Sequence, residues 1–198
     1  MHRFWMIVCF LLLVPATAFA GDLDLDTVAG AGDKLAGTDG KSHSIADVRG
    51  KKGTLVIFTC NHCPYVKAWD ERTAKLGNAA LEKGIGVIAI NSNDDAKYPE
   101  DGFDKMVERA KALGIAYPYV VDATSALARN FGATKTPEFF LFDADGALVY
   151  HGALDDEAED ESKVSKRWLA DAIDALAAGK AIAVAETKAF GCGIKFRP

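Results

Sequence analysis

Residues 58–66 read FTCNHCPYV, a Cys-x-x-Cys pair with a histidine inside it and a proline directly behind. Three chemistries use such a pair: dithiol redox exchange, peroxide reduction at one thiol, and binding of a soft metal. The flanks place the pair in a fold. TLVIF (54–58) is a short apolar run after a Lys-Lys-Gly start, which predicts a buried strand. Beyond Pro64, Val66, Trp69, Thr73, Leu76 and Ala80 recur at three and four residues, the spacing of a helix face, and Gly84 supplies a stop. GVIAI (86–90) is a second buried strand. The two cysteines therefore sit at the strand–loop–helix junction of a β-α-β unit.

That position matters for the sulfur. Proline suits the first helical turn, where its missing N–H costs nothing. The same turn presents free backbone N–H groups and partial positive charge. A thiolate at Cys63 is stabilised there, so its pKa should fall below the ~8.5 of a free cysteine. Cys63 is the expected nucleophile. Cys60 lies on the strand side of it. It is either a disulfide partner, if the backbone brings the two Cα atoms within about 7 Å, or a thiol packed beneath Cys63. His62 is a candidate base or a surface residue. Cys60, His62 and Cys63 also offer three soft ligands for copper or zinc, with His151 or Cys192 as the fourth.

The rest of the chain continues the alternation. FDKMVERAKAL (103–113) reads as a helix ending at Gly114, YPYVV (117–121) as a strand, and SALARNF (125–131) as a short helix ending at Gly132. EFFLF (138–142) and ALVYH (147–151) flank the turn DADG, a hairpin. Trp168, Leu169, Ala172, Ile173 and Leu176 form a last amphipathic helix that stops at Gly179, and Trp69 and Trp168 fall at core positions. TDGKSHSI (38–45) suggests an N-terminal hairpin turn, and DDEAEDE (155–161) a solvated acidic loop. Strands alternating with helices imply a central sheet covered on both faces. A second signal is TKTPEFFLFDADG (134–146), in which Thr136–Pro137 leads directly into a strand. Proline fits a strand start. A cis bond there would leave the Thr136 backbone exposed, as a docking edge for an extended peptide or mixed disulfide.

The chain has 198 residues and a formal charge of −5. Residues 1–20 read as a secretory signal: a weak charged start, the apolar run WMIVCFLLLVP, and ATAFA ending at an expected cleavage after Ala20. The run is shorter than the ~20 residues of a spanning helix. Loss of the single Arg3 with this leader takes the charge from −5 to −6. An acidic exported chain is a poor fit to nucleic acid or anionic membrane, and no second apolar run predicts membrane insertion of the mature chain. It is expected to work in the periplasm or otherwise secreted. Residues 21–198 form one expected domain, with a core at about 45–180 and a tail at 181–198. Cys9 leaves with the leader, so Cys60, Cys63 and Cys192 remain. That is one pair plus one free thiol, or a pair that changes partner, rather than a disulfide scaffold.

Together, TLVIFTCNHCPYVKAW, VIAINSND, YPEDGFDKM, FGATKTPEFFLFDADGALVYHGALDD and FGCGIKF resemble the thioredoxin superfamily, in its peroxiredoxin-like branch with alkyl-hydroperoxide-reductase and thiol-specific-antioxidant domains. The resemblance spans roughly 45 to 196. It implies an α/β thioredoxin-like fold with a mixed four- to five-stranded sheet flanked by helices, an N-terminal hairpin, an inserted helix–strand, and a cis Pro137 facing the cysteine loop. It places Cys63 at the attacking position. It also marks two departures. The second cysteine of thioredoxins would stand at Val66, and the peroxiredoxin hydroxyl would stand at Cys60. A resolving thiol must therefore be Cys60 or Cys192, and Arg129 is the candidate arginine for peroxide by rough position.

The implied site is Cys63, Cys60, Cys192, Thr136 and Pro137, with no cofactor. The leading expectation is thiol–disulfide exchange on a disulfide-bearing protein, recharged by an external thiol reductant. The alternatives are a thiol peroxidase acting on hydroperoxides at Cys63, and a copper- or zinc-handling protein.

Overall fold

The computed structural model describes residues 23–198; the leader at 1–20 and Cys9 lie outside the described residues. The elements run β1 (Leu35–Gly37), β2 (Ser42–His43), β3 (Gly53–Phe58), α1 (Pro64–Glu82), β4 (Ile85–Asn91), α2 (Phe103–Leu113), β5 (Tyr119–Val121), α3 (Ala126–Phe131), β6 (Lys135–Thr136), β7 (Glu138–Asp143), β8 (Leu148–Gly152), α4 (Trp168–Ala177) and β9 (Cys192–Gly193). One sheet holds seven strands in the order β2-β1-β5-β4-β3-β7-β8. β3 pairs in parallel with β4, and β4 with β5, while β7 runs antiparallel to β3 and β8 antiparallel to β7. This is the expected mixed thioredoxin-like sheet. Its five central strands are widened to seven because the N-terminal hairpin β1–β2 joins the edge of β5.

The central strands are buried on both faces, which is why their sequences read as unbroken apolar runs. In β3, Leu55 and Ile57 face one core and Val56 and Phe58 the other; in β7, Phe139 and Leu141 oppose Phe140 and Phe142 in the same way. The first core is closed by Trp69 and Ala80 of α1, Met106 of α2, and Leu169, Ala172 and Ile173 of α4. The second is closed by Leu127, Ala128 and Phe131 of α3, by Leu25 and Ala31 near the N-terminus, and by Ile194 of the tail. The tail is thus part of the fold.

The acidic loop departs from expectation at its start. Asp155 is buried, accepts a hydrogen bond from Trp69 Nε1 at 2.8 Å, and pairs with Arg72 at 2.5 Å. Arg72 also donates to the Glu157 and Ala158 carbonyls. A cation inside the helix face neutralises this end of the charge run and packs it against α1.

Candidate functional site

Cys63 is the residue immediately before α1, extended at φ −62° and ψ 127°, and Pro64 opens the helix. β3 delivers the chain to this point and ends at Phe58. The intervening loop is held from below by a residue in the insert between β4 and α2. Asp101, buried, accepts from the backbone N–H groups of Asn61 at 2.7 Å and His62 at 3.1 Å. Its other carboxylate oxygen takes His62 Nδ1 at 2.5 Å and the Asn93 amide at 2.8 Å. The His62 ring stacks on Tyr98 with centroids 4.7 Å apart. The Asn61 side chain is fixed as well, donating to the Glu100 carbonyl and accepting from Tyr119 Oη. Both backbone donors of the turn find a charged acceptor, so the loop is satisfied though buried.

The Thr136–Pro137 peptide is cis. It lies against the two cysteines of the loop. Cys63 Sγ is 3.1 Å from the Thr136 carbonyl oxygen, and Cys60 Sγ is 3.3 Å from Thr136 Oγ1. The approach to Thr136 is set by Glu138, whose Oε2 accepts from the N–H groups of Thr134 and Lys135 at 2.7 and 2.8 Å. Glu138 Oε1 takes His151 Nε2 at 2.7 Å, and His151 stacks on Phe140. His151 is therefore committed to Glu138 rather than to the cysteine loop.

The third thiol comes from the tail. β9 pairs antiparallel with β6, with Cys192 opposite Thr136 and Gly193 opposite Lys135. Cys60, Cys63, Val66 and Cys192 form one packed cluster. All three cysteines are thiols; Cys60 and Cys63 are buried and Cys192 is half-buried. Gly191 makes the approach feasible: a Cβ there would lie 2.2 Å from the Thr136 carbonyl oxygen. The expected free edge at Thr136 is thus not free. Its backbone is buried and paired to the chain's own tail.

The three sulfurs differ in acidity. The Cys60 thiol, donating to Cys63, holds the Cys63 pKa well below that of an ordinary thiol; burial opposes this, and the Cys192 thiol with the N–H groups of Val66 and Cys192 assists. Cys60 is pushed far upward because its proton is held by Cys63 and it is buried. Burial raises Cys192, and its hydrogen bond to Cys63 adds to the rise. The Thr136 carbonyl attracts the Cys63 thiol and repels its thiolate, which limits the drop. The cluster can hold one thiolate, at Cys63, beside two protonated thiols.

The donors for a metal are arranged differently from the expected Cys60, His62 and Cys63. The ligand atoms of Cys60, His62 and Asp101 lie within 4.8 Å of one another. His62 Nδ1 and Asp101 are already bonded to each other, and Asp101 also serves Asn61, His62 and Asn93. Their committed hydrogen bonds make this a poor fit to an ion. Arg129 is engaged by the tail: it donates to the Thr124 and Arg197 carbonyls and lies over the Phe196 ring.

The sequence model of the Redoxin family matches residues 15–167. The chain belongs to the Redoxin family. It is 26% identical, over 156 residues, to the thiol-disulfide oxidoreductase ResA of Halalkalibacterium halodurans, a match covering 74% of this chain and 84% of the relative. Among solved structures it is similar to a hypothetical protein of Sinorhizobium meliloti 1021, at 32% identity and a TM-score of 0.81, covering 91% of this chain and 96% of that one. It is also similar to an uncharacterized conserved protein of Geobacillus kaustophilus, at 36% identity and a TM-score of 0.78, covering 83% and 88%. As a redoxin with its thiols gathered at one junction, the protein is a thiol-based oxidoreductase. Among the described residues no helix is long and apolar enough to cross a membrane.

Asp101, Asn93, Glu138 and Gly191 were not singled out by the sequence. Asp101 and Glu138 stand inside the matching strings YPEDGFDKM and TKTPEFFLFDADG, where an acid beside a loop was a usable signal.

Proposed function

We propose that this redoxin is an exported thiol–disulfide oxidoreductase with Cys63 as its nucleophile and Cys60 or Cys192 as the resolving thiol. The observation that carries the reading is the placement of Cys63 at the start of α1, with the Cys60 and Cys192 thiols packed in one cluster with it. The Cys63 thiolate attacks one sulfur of a substrate disulfide and expels the other as a thiolate, which takes up a proton. The second cysteine then attacks Cys63, releasing the bound half as a thiol and leaving an internal disulfide. An external dithiol returns the pair to its reduced state. Two electrons pass to the substrate in each cycle. The name of the Halalkalibacterium relative supports the same activity, and the expected leader supports export.

Hydroperoxide reduction would begin at the same sulfur. Disulfide exchange is favoured because the Thr136 hydroxyl, beside the cluster, is engaged with Cys60. The test is turnover of a small disulfide by wild type and Cys63→Ser with excess dithiol. Loss of all turnover above the uncatalysed rate in Cys63→Ser is expected; equal rates overturn the reading.

A further inference from the structure

Extended peptides dock on exposed strand edges by adding a strand, with main-chain hydrogen bonds supplying the affinity. The backbone of β6, beside Cys63, is such an edge, and in this protein it is occupied. Thr136 pairs with Cys192 and Lys135 with Gly193. The Ile194 N–H continues the contact, donating to the Thr134 carbonyl at 3.0 Å. The occupying strand brings a cysteine to the attacking sulfur: Cys192 belongs to the cluster of Cys60, Cys63 and Val66. Beyond it the tail is anchored through Lys195 and Arg197. Lys195 N–H donates to Asn93 Oδ1 and Lys195 O accepts from Asp94 N–H, both at 2.7 Å. Arg197 donates to the Asp122 carbonyl and to Ser125 Oγ.

We propose that the segment Gly191–Cys192–Gly193 is a built-in occupant of the peptide-docking edge, standing where a substrate's cysteine strand would lie, so that the site selects small disulfides over disulfides carried in an extended peptide. The inference rests on the exchange reaction proposed above and specifies its substrate class. A small disulfide needs room only at the sulfurs, which a local parting of Cys192 from Cys63 supplies. An extended peptide must also replace the pairing of Thr134–Thr136 with the tail. Cys63 attacks the small disulfide and expels one thiol. Cys192 then returns to the Cys63 sulfur and expels the second, forming the Cys63–Cys192 bond. The two electrons come from this pair.

The experiment compares single-turnover rates of the reduced full-length protein with two probes. One is 2-hydroxyethyl disulfide. The other is an unstructured peptide bearing one cysteine as its mixed disulfide with 2-mercaptoethanol. Each rate is normalised to the probe's reaction with free dithiothreitol. In wild type the peptide is expected to be slower by on the order of tenfold or more, the factor set by displacing a few backbone hydrogen bonds of ordinary net strength. Gly191→Ala puts a Cβ against the Thr136 carbonyl and lifts the segment, so the peptide rate should rise toward that of the small disulfide. Equal normalised rates in wild type overturn the proposal, and this comparison needs no variant should Gly191→Ala fold poorly. An unchanged peptide rate in folded Gly191→Ala overturns it too. If neither probe reacts faster with wild type than with Cys63→Ser, the exchange reading itself is what fails.

Discussion

Asn93 donates its side-chain amide to Asp101 at 2.8 Å. Its oxygen accepts the backbone N–H of Lys195 at 2.7 Å, so one buried side chain ties the cysteine loop to the tail that covers it. Asn93→Ala leaves a buried carboxylate short of one donor and a backbone N–H without a partner. The expected cost is about 2–4 kcal/mol, from the penalty of buried unsatisfied groups. At roughly 2–4 °C per kcal/mol for a chain of this size, the melting temperature should fall clearly. Thermal unfolding checks this. A drop no larger than that of a surface substitution would show that the network contributes little.

The acidity of Cys63 rests first on Cys60. Cys60→Ala removes that donor, and the ionisation midpoint of Cys63 should move up toward that of an ordinary thiol. Cys60→Ser keeps a donor and should move it less. The sign is fixed by the direction of the shift. The folded pKa lies below the unfolded value, so the folded protein carries the thiolate above its folded pKa, and the stability this brings is complete above the unfolded pKa and is lost as pH falls through the folded one. Reaction rate against pH should therefore decline on the acid side in wild type, with the decline moved to higher pH in Cys60→Ala. The ultraviolet absorbance of the thiolate reports the midpoint directly, and a midpoint indifferent to Cys60 contradicts the arrangement.

Arg72 and Asp155 are both largely withdrawn from water, with 11% and 7% of their side chains exposed, so their pairing escapes the screening that weakens surface ion pairs. Asp155→Ala strands the Arg72 charge and removes one of the two acceptors of Trp69 Nε1. Breaking a buried pair from one side costs about 3–5 kcal/mol. Denaturant unfolding of Asp155→Ala should read a loss of that size, whereas Glu159→Ala, on the exposed part of the same loop, should read close to none. Equal effects would mean that the loop is solvated throughout.

The sheet was legible because TLVIF, GVIAI and EFFLF are buried on both faces and need no partner to be recognised as strands. Cys63 was legible because Pro64 marks a helix start and the helix face can be counted from Val66 to Ala80. What the sequence could not carry were contacts made across distance. Asp101 reaches the backbone of Asn61 from a turn forty residues on, and nothing in its local pattern names that target. β9 is two residues long and has no period to read. The reading of Thr136 as an open edge failed for that reason: Gly191 and Cys192 fill the edge from the far end of the chain. Asp155 was read as solvated because it opens a charge run, and its cation, Arg72, lies on another element.

Every reaction at the three-thiol cluster is expected to start at Cys63. The most direct measurement is to treat the fully reduced protein with less than one equivalent of a small disulfide, quench by acid and alkylation, and map the linkages by mass spectrometry. Cys63 is expected in every linkage formed, first as a mixed disulfide and then joined to Cys192 or Cys60. A Cys60–Cys192 bond, or substrate attached to Cys60 or Cys192 while Cys63 remains a thiol, would contradict it.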